Sequence, residues 1–262
     1  MLWPILGKKK IGLVLGGGIA RGIAHIGVLK VIERYKIPIE YISATSSGAL
    51  IGSAYAAGME VRLIEEIGLR ISWGRIIRLA LFKPGLISDQ GVKDLVRKYI
   101  GELEFSQLKI PLSVVATDLK SARPIIFSKG DLAKAVAASS AFPGLFSPEE
   151  INHHLVVDGA ITYNLPVQTV RDMGANFVIA SDVIPSGSYK HQPHDPLQVF
   201  SRALDIVLHQ LSYEQRKKAN ILIDPDYKDD IWPFDLSRAK ALIAAGEHAA
   251  HNALRRLRRQ YK

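Results

Sequence analysis

Four apolar runs along the chain predict the strands of a central sheet. Ile11–Leu15 and residues 110–116 and 176–182 are almost wholly apolar, and a shorter run at residues 38–43 ends in Ser43. Strands of a parallel sheet that is covered on both faces read as continuous apolar runs, because neither side of the strand meets water. Shorter runs at residues 124–127, 149–157 and 220–224 predict further strands, the last of them at an edge of the sheet.

Between these runs, apolar residues recur at the spacing of helices. One helix is predicted to begin at Ile23, and others to occupy residues 48–57, 60–81, 89–99, 131–139, 197–218 and 237–261. Strands that alternate with helices are typical of an α/β domain, and 262 residues suit a single one. We therefore expect one domain over residues 1–262, a three-layer α/β/α sandwich with a mainly parallel central sheet. Residues 1–9 would extend from its N-terminus, and residues 236–262 would form a basic C-terminal helix.

A glycine-rich loop joins the first strand to the first helix. Its sequence is Gly16-Gly17-Gly18-Ile19-Ala20-Arg21-Gly22, and such a loop presents free backbone N–H groups to an anion. A phosphate-binding P-loop ends in G-K-[ST], and a dinucleotide loop needs a glycine where Arg21 stands, so neither motif is present. Two interpretations stay open: a ligand-free turn, or a site for the oxyanion of an acyl-transfer intermediate.

Ser46 lies between the second strand and a helix of small residues. The surrounding sequence Ala44-Thr45-Ser46-Ser47-Gly48 resembles the G-x-S-x-G nucleophile elbow, with Ala44 in place of the first glycine. Such a turn lifts the serine hydroxyl clear of the sheet, and the helix N-terminus behind it stabilises developing negative charge. The alternative is that these hydroxyl residues only cap the helix.

Composition and charge limit the partners that this protein can have. The chain has no cysteine, which excludes disulfides and a cysteine nucleophile, and its net charge of +9 favours anionic partners. No apolar run reaches the roughly 20 residues that a membrane span requires, and the charge order at the N-terminus is the reverse of a signal peptide. We expect a cytoplasmic protein that can contact an anionic membrane at its periphery. Two basic segments could do so, residues 60–81 and the C-terminal Arg255-Arg256-Leu257-Arg258-Arg259, although arginines in water on core-packed helices account for both.

Three motifs in series resemble the patatin-like phospholipases, in particular the bacterial and archaeal branch related to neuropathy target esterase. They are the glycine loop continued through residues 23–29, the elbow at residues 45–50, and Asp158-Gly159-Ala160 followed by Asn164-Leu165-Pro166. Two positions depart from the family pattern, Ile19 where a loop glycine is usual and Ala44 in the elbow. The resemblance covers residues 10 to 225.

The resemblance implies a serine hydrolase of lipid acyl esters, phospholipids or lysophospholipids, without cofactor or calcium. Asp158 would be the carboxylate partner of Ser46, in a dyad that needs no histidine, whereas Asp-Gly alone would be interpreted as a turn. Backbone N–H groups around Gly17, Gly18 and Ile19 would bind the oxyanion, and Arg21 would orient that loop.

Other functions remain open from the residues alone. A Ser-Asp-His triad could use a histidine after Asp158, and the candidates are His191, His194, His209, His248 and His251. Isolated histidine pairs are weak metal signals, so we predict no metal, and the chain has no nucleic-acid motif. A second hypothesis is a catalytically weakened membrane-surface or partner-binding protein that retains the fold. The sequence gives no information on oligomeric state.

Overall fold

The computed structural model describes residues 9–76, 88, 90–186, 189–227 and 229–260, with the backbone alone at residues 75 and 257–260. In this part of the chain, eight strands form one sheet. They are β1 Ile11–Leu15, β2 Tyr41–Thr45, β3 Leu112–Asp118, β4 Arg123–Phe127, β5 Glu149–Ile151, β6 His154–Asp158, β7 Phe177–Ser181 and β8 Ile221–Ile223.

Five of the strands are parallel, in the order β8-β7-β1-β2-β3. β1 and β2 are adjacent. The glycine loop follows β1 and Ser46 follows β2, so this pairing allows the loop and the serine to meet. β4 and β6 both pair antiparallel with β3, and β5 pairs antiparallel with β6. The predicted α/β fold with a mainly parallel sheet is confirmed, and β8 is an edge strand as expected.

The register of β3 brings the ends of two other strands together. β2 pairs with β3 up to Thr45 opposite Val115, and β6 pairs with the next residues of β3, with Asp158 opposite Ala116. β4 pairs along Val114 to Asp118 and so overlaps both partners. Since a strand has only two edges, β2 and β6 must share one edge of β3 and meet end to end. Their last residues, Thr45 and Asp158, therefore lie close together, with Ser46 directly following Thr45.

Helices cover both faces of the sheet. They are α1 Ala24–Arg34, α2 Ser47–Ala56, α3 Val61–Arg70, α4 Trp73–Ile76, α5 Gln90–Ile100, α6 Leu132–Ser139, α7 Ala160–Tyr163, α8 Val167–Asp172, α9 Pro196–Lys218 and α10 Ala239–Gln260. Leu13 and Leu15 lie in one core cluster with α1, α2 and α10, whereas Val14, between them, packs against α8 on the other face. The alternation of side chains along β1 thus builds both layers of the core.

The basic segment predicted over residues 60–81 is interrupted in the structure. Its described part contains two helices, α3 and α4, as the predicted helical character requires. α3 packs on the core through Val61, Ile64 and Gly68 while Arg62 and Arg70 are exposed. This agrees with the interpretation of a core-packed helix with arginines in water. The side chain of Arg75, residues 77–81, the break at Lys83-Pro84-Gly85, Asp89 and residues 1–8 lie outside the described part.

Glycines allow α1 and α10 to cross with their backbones in contact. A Cβ at Gly27 would lie 2.0 Å from the carbonyl oxygen of Ile243, and one at Gly246 would lie 1.9 Å from that of Ala24. No real side chain can approach a backbone oxygen this closely. The helix pair must separate if either glycine is replaced.

We expect Gly27→Ala to destabilise the fold by about 2–3 kcal/mol, to be measured as the free energy of unfolding in urea. Alanine gains about 1 kcal/mol of helix propensity over glycine, but overpacking against backbone costs more than this gain. Gly74→Ala is the matched control, because its added Cβ would meet nothing within 4 Å. Equal stability of the two variants would show that the helices are not in the contact described.

Candidate active site

Ser46 occupies a strained turn between β2 and α2. Its backbone angles are φ 54° and ψ −125°, a left-handed conformation that costs free energy for any residue with a side chain. A Cβ at Gly48 would lie 2.2 Å from the carbonyl oxygen of Leu15, and one at Gly22 would lie 2.2 Å from Ser47 Oγ. These close approaches hold the turn in place. The structure therefore gives Ser46 the geometry of a nucleophile elbow.

Ala44 fits the elbow without displacing the helix behind it. Its side chain is buried beneath α2, and the helix residue that faces it is Gly52. A Cβ on Gly52 would lie 3.4 Å from that of Ala44, so with glycine at position 52 the Ala44 methyl group meets no close contact there. Alanine is thus accommodated at this position of the elbow.

Asp158 forms a direct hydrogen bond with Ser46. The Ser46 hydroxyl donates to Asp158 Oδ2 over 2.6 Å, and the Ala160 N–H donates to Oδ1 over 2.9 Å. Burial raises the pKa of Asp158 to about 6, although the hydrogen bonds from Ser46 and Ala160 act in the opposite direction. A carboxylate with this pKa is ionised at neutral pH and yet basic enough to accept a proton.

The C-terminal end of α6 and the residues that follow it hold both Ser46 and Asp158. The Ser46 N–H donates to Ser139 Oγ over 2.7 Å, and the Asp158 N–H donates to the Ala141 carbonyl over 2.9 Å. The sequence assigned residues 139–144 a structural role, and these contacts agree with it. These residues keep the backbones of Ser46 and Asp158 at a fixed separation.

The glycine loop lies directly beside Ser46. A Cβ on Gly17 would lie 3.0 Å from the Cβ of Ser46, so only glycine fits there. The Gly17 N–H already donates to Asn164 Oδ1 over 2.9 Å, so it is not free to bind an oxyanion. Within the described ranges, no acceptor is in place for the N–H groups of Gly18 and Ile19. Of the three expected oxyanion donors, these two are free.

Arg21 is turned away from Ser46 and fastens the loop to α9. Its guanidinium, 2% exposed, donates to both carboxylate oxygens of Asp205 over 2.7 and 2.8 Å. It also donates to the Ile231 carbonyl over 3.1 and 3.2 Å. Tyr189 donates its hydroxyl to Asp205 over 2.6 Å. These contacts link the glycine loop to α9, and the loop-orienting role expected of Arg21 stays a prediction.

Asp205 was missed as a supporting residue by sequence reasoning, and Asn164 was named only as part of a motif, without the contact to Gly17. For Asp205 a signal existed, because it shares one stripe of α9 with the buried residues Ser201, Leu208 and Ser212. An aspartate on a buried helical stripe requires a cationic partner. The sequence does not identify that partner, since Arg21 lies 184 positions away.

We expect Asp205→Asn to lower stability by about 3–5 kcal/mol, because the buried Arg21 charge would lose its partner. It should also lower ester hydrolysis through disorder of the glycine loop. Thermal unfolding and kcat/KM measure the two effects. Asp229→Asn is the matched control, since its partner Arg238 is largely exposed and a surface ion pair contributes little. A fully stable Asp205→Asn protein would contradict this account.

The histidines lie outside the Ser46–Asp158 pair. His25 is buried below the glycine loop, where burial lowers its pKa to about 4. The neutral ring donates from Nε2 to the Gly16 carbonyl over 2.7 Å and accepts from the Ser181 hydroxyl at Nδ1 over 2.9 Å. It orients the loop, as expected. His251 pairs with Tyr35, and His248 with Asn252. Across the described residues, neither Ser46 nor Asp158 bonds to a histidine.

An apolar cavity of about 150 Å³ opens onto the elbow. Ser46 and Ser47 form part of its wall, and most of the other lining side chains are aliphatic or aromatic, among them Leu50, Ile64, Val96 and Phe146. We call it the elbow cavity. Among the described residues, no charged side chain lines it, so it suits a hydrocarbon chain rather than a polar group.

No group of three or more histidine, aspartate or glutamate side chains is arranged to hold a metal ion among the described residues. No described helix has both the length and the apolar character needed to cross a membrane.

Comparison with known proteins places the site in a family context. A family model described as Patatin-like phospholipase matches residues 13–171, which include Ser46 and Asp158. An uncharacterized NTE family protein of Mycobacterium tuberculosis is 35% identical over 178 residues, covering 66% of this chain and 49% of the relative. Lysophospholipase NTE1 of Debaryomyces hansenii is 30% identical over 185 residues, covering 68% of this chain and 12% of the relative. This chain therefore spans half or less of the length of these curated relatives.

Solved structures with the same architecture include two bacterial proteins. VipD from Legionella pneumophila superposes with a TM-score of 0.64 at 16% identity, covering 95% of this chain and 67% of VipD. The type III effector protein ExoU superposes with a TM-score of 0.57 at 16% identity, covering 95% of this chain and 53% of ExoU. At this level of identity the likeness concerns the fold.

Proposed function

The chain belongs to the patatin-like phospholipase family, and from this premise we propose that it is a serine hydrolase of lipid acyl esters. The observation that carries the proposal is the hydrogen bond from Ser46 Oγ to Asp158, 2.6 Å long and shielded from water. A hydroxyl next to a buried carboxylate is a two-residue unit for nucleophilic catalysis.

Acylation would proceed as follows. Ser46 Oγ attacks the ester carbonyl carbon while its proton passes to Asp158 Oδ2. The tetrahedral intermediate collapses, the bond to the leaving oxygen breaks, and that oxygen takes the proton from Asp158. An acyl-enzyme on Ser46 remains, and Asp158 is again ionised.

Deacylation would repeat these steps with water. Asp158 accepts a proton from the water that attacks the acyl-enzyme. The second tetrahedral intermediate then collapses, its bond to Ser46 Oγ breaks, and Asp158 returns the proton to Oγ. The free N–H groups of Gly18 and Ile19 and the N-terminus of α2 would stabilise the oxyanion at both stages. Each step uses only groups of this chain and water.

The proposed substrates are phospholipids or lysophospholipids. The elbow cavity supports this class, because a wall of aliphatic and aromatic side chains next to the nucleophile would bind an acyl chain. Lysophospholipase NTE1 of Debaryomyces hansenii is named for such an activity.

A fluorophosphonate probe followed by mass mapping of the modified peptide tests the proposal. We expect label on Ser46, absent in Ser46→Ala and strongly reduced in Asp158→Asn. Label that survived Asp158→Asn would reject the dyad. A folded protein that takes no label would instead favour the alternative of a weakened binding protein.

We further propose that the protein acts at an anionic lipid surface, which it contacts through α9. Large apolar side chains of this helix are about half exposed, and they are Leu197, Val199, Phe200, Ile206, Val207 and Leu211. From Pro196 to Tyr213 no charged side chain of the helix is exposed. Glu214, Lys217 and Lys218 follow at its end, and Glu214 pairs with Lys217. An apolar helix face with a basic end suits the interface of a membrane.

We expect the double substitution Ile206→Ser and Val207→Ser to weaken binding to anionic vesicles about tenfold or more. Each loses apolar area that would be withdrawn from water at the lipid surface. The measurement is co-sedimentation with phosphatidylglycerol–phosphatidylcholine vesicles, made in a Ser46→Ala background. Leu63→Ser with Leu69→Ser on α3 is the control, since these leucines are similarly exposed. Equal loss in both pairs would assign the effect to general hydrophobicity rather than to α9.

A further inference from the structure

A second apolar space lies next to the elbow cavity. It is a groove of about 500 Å³ between the glycine loop, residues 142–145, α9 and residues 232–234. Leu204 and Leu208 line its wall, and Leu197 and Phe200, both more than half exposed, also line it. We call it the α9 groove. Its charged lining residues, Arg21 and Asp205, are paired with each other and so leave the apolar wall to determine what binds.

One wall separates the α9 groove from the elbow cavity. Both spaces are lined by Ile19, Phe142, Leu145 and Phe234. The rings of Phe142 and Phe234 meet edge to face with centroids 6.1 Å apart. The Ala20 N–H donates to the Pro233 carbonyl over 2.8 Å, which ties this wall to the glycine loop. Ring packing and this hydrogen bond therefore hold the wall against the glycine loop that would bind the oxyanion.

Ile19 is held in this wall at a conformational cost. Its φ is 55°, in the left-handed region that is especially unfavourable for a β-branched side chain. Glycine would adopt this conformation without strain. A strained backbone conformation persists only where the surrounding structure enforces it. Here the Ile19 side chain forms part of the wall between two apolar spaces.

The α9 groove begins beside residues that neighbour Ser46 and Asp158. Gly18 of the oxyanion loop and Ala160, whose N–H donates to Asp158, both belong to its lining. A molecule with its ester carbonyl at Ser46 would thus have one apolar space on each side of the wall. A single chain needs only one of them, whereas a two-chain lipid has one hydrocarbon chain for each.

We propose that the α9 groove binds the second hydrocarbon chain of a two-chain acyl ester, while the elbow cavity holds the chain that is cleaved. Ile19 keeps the two chains apart and so determines which ester bond reaches Ser46. This inference rests on the proposed hydrolase function for its catalytic readout.

The first test compares the wild-type protein with Leu204→Trp, which would fill the groove. The readout is the ratio of kcat/KM for soluble dihexanoyl phosphatidylcholine to that for its one-chain lyso analogue. We expect this ratio to fall about tenfold or more in Leu204→Trp and to stay unchanged in Leu63→Trp, an exposed leucine outside the lining of both spaces. An unchanged ratio in folded Leu204→Trp protein would overturn the proposal.

The second test uses a phosphatidylcholine with one butanoyl and one hexanoyl chain. We expect wild type to release mainly one of the two acids and Ile19→Gly to release both. Because the ratio of products is measured within one reaction, a general loss of rate does not affect it. Unchanged product ratios would show that Ile19 does not separate the chains.

A third measurement separates this proposal from the hydrolase function. Calorimetric binding of dihexanoyl phosphatidylcholine to Ser46→Ala protein does not require catalysis, and Leu204→Trp should weaken it about tenfold while Leu63→Trp should not. If no ester is cleaved but this difference in binding is found, the proposal that the α9 groove binds a lipid chain is supported and the hydrolase proposal fails. If sedimentation shows a dimer that Leu204→Trp dissociates, a second copy occupies the groove and the proposal is overturned.

Discussion

Replacement of Ser46 by alanine should lower the hydrolysis of short acyl esters about a thousandfold or more. The hydroxyl is the proposed nucleophile, and removing such a group from a catalytic unit typically leaves only the small rate due to binding and oxyanion stabilisation. Steady-state kcat/KM on a nitrophenyl ester and on a phospholipid measures the loss. Both rates should fall together, because the same oxygen attacks both substrates.

Two comparison variants make this loss specific. Ser212→Ala removes another buried hydroxyl, one on α9 without a hydrogen-bond partner in the described structure, and should retain activity. Ser46→Gly should be as inactive as Ser46→Ala but more stable by about 1 kcal/mol, because glycine relieves the positive φ. Substantial esterase activity in Ser46→Ala would contradict the hydrolase proposal.

Asp158→Asn should lower activity by a similar factor, since asparagine cannot accept the proton of Ser46. Its Oδ1 can still accept the Ala160 N–H, so the turn should keep its shape. In wild type, the ionised carboxylate with a pKa of about 6 predicts that kcat/KM falls tenfold per pH unit well below pH 6. A pH profile measures this limb. An acid limb centred below pH 5 would contradict the role of a buried Asp158 as the base.

Asp158→Asn should also gain stability relative to wild type as the pH rises from acidic to neutral. Burial raises the pKa of Asp158 from 3.8 to about 6, so the folded state holds this proton more tightly than the unfolded chain. The resulting stabilisation is present below about pH 4 and is lost as the pH rises through 6. Two pKa units correspond to about 3 kcal/mol.

The free energy of unfolding of Asp158→Asn should therefore rise relative to wild type by about 2–3 kcal/mol between pH 4 and pH 8. Urea titrations of both proteins across this range measure the difference. The contributions of other titrating groups largely cancel, because both proteins contain them. A constant difference across the range would show that Asp158 is not buried as an acid with a raised pKa. An inactive but stabilised variant would identify Asp158 as a site where stability is sacrificed for chemistry.

Local sequence determined the parts of the site that depend on backbone turns. The apolar run of β1 followed by glycines, and the apolar run of β2 followed by small residues around Ser46, each predict a strand, a tight turn and a helix. These elements form because neighbouring residues set the turn chemistry and the burial pattern. The pairing of β1 with β2 then brings Gly17 and Ser46 together. Asp158 was identified through the resemblance, since Asp-Gly by itself is an ordinary turn.

Only the tertiary structure decided how the side chains from distant segments meet. Ser46 and Asp158 are 112 positions apart, and they touch because β2 and β6 end against each other on one edge of β3. The antiparallel pairing that causes this has no signal within either segment. Asp205 pairs with Arg21 over a still longer separation.

The partition at Ile19 shows the same division between local sequence and tertiary structure. From the sequence, Ile19 is a departure from the usual loop glycine. In the structure it is a strained side chain between two apolar spaces, walled by residues from segments around 142 and 234. The periodicity of apolar residues indicates only which face of its own helix or strand a residue occupies. The contacts that place Asp158 beside Ser46, link Arg21 to Asp205 and set Ile19 between two apolar spaces arise between elements, and the packing of the whole fold determines them.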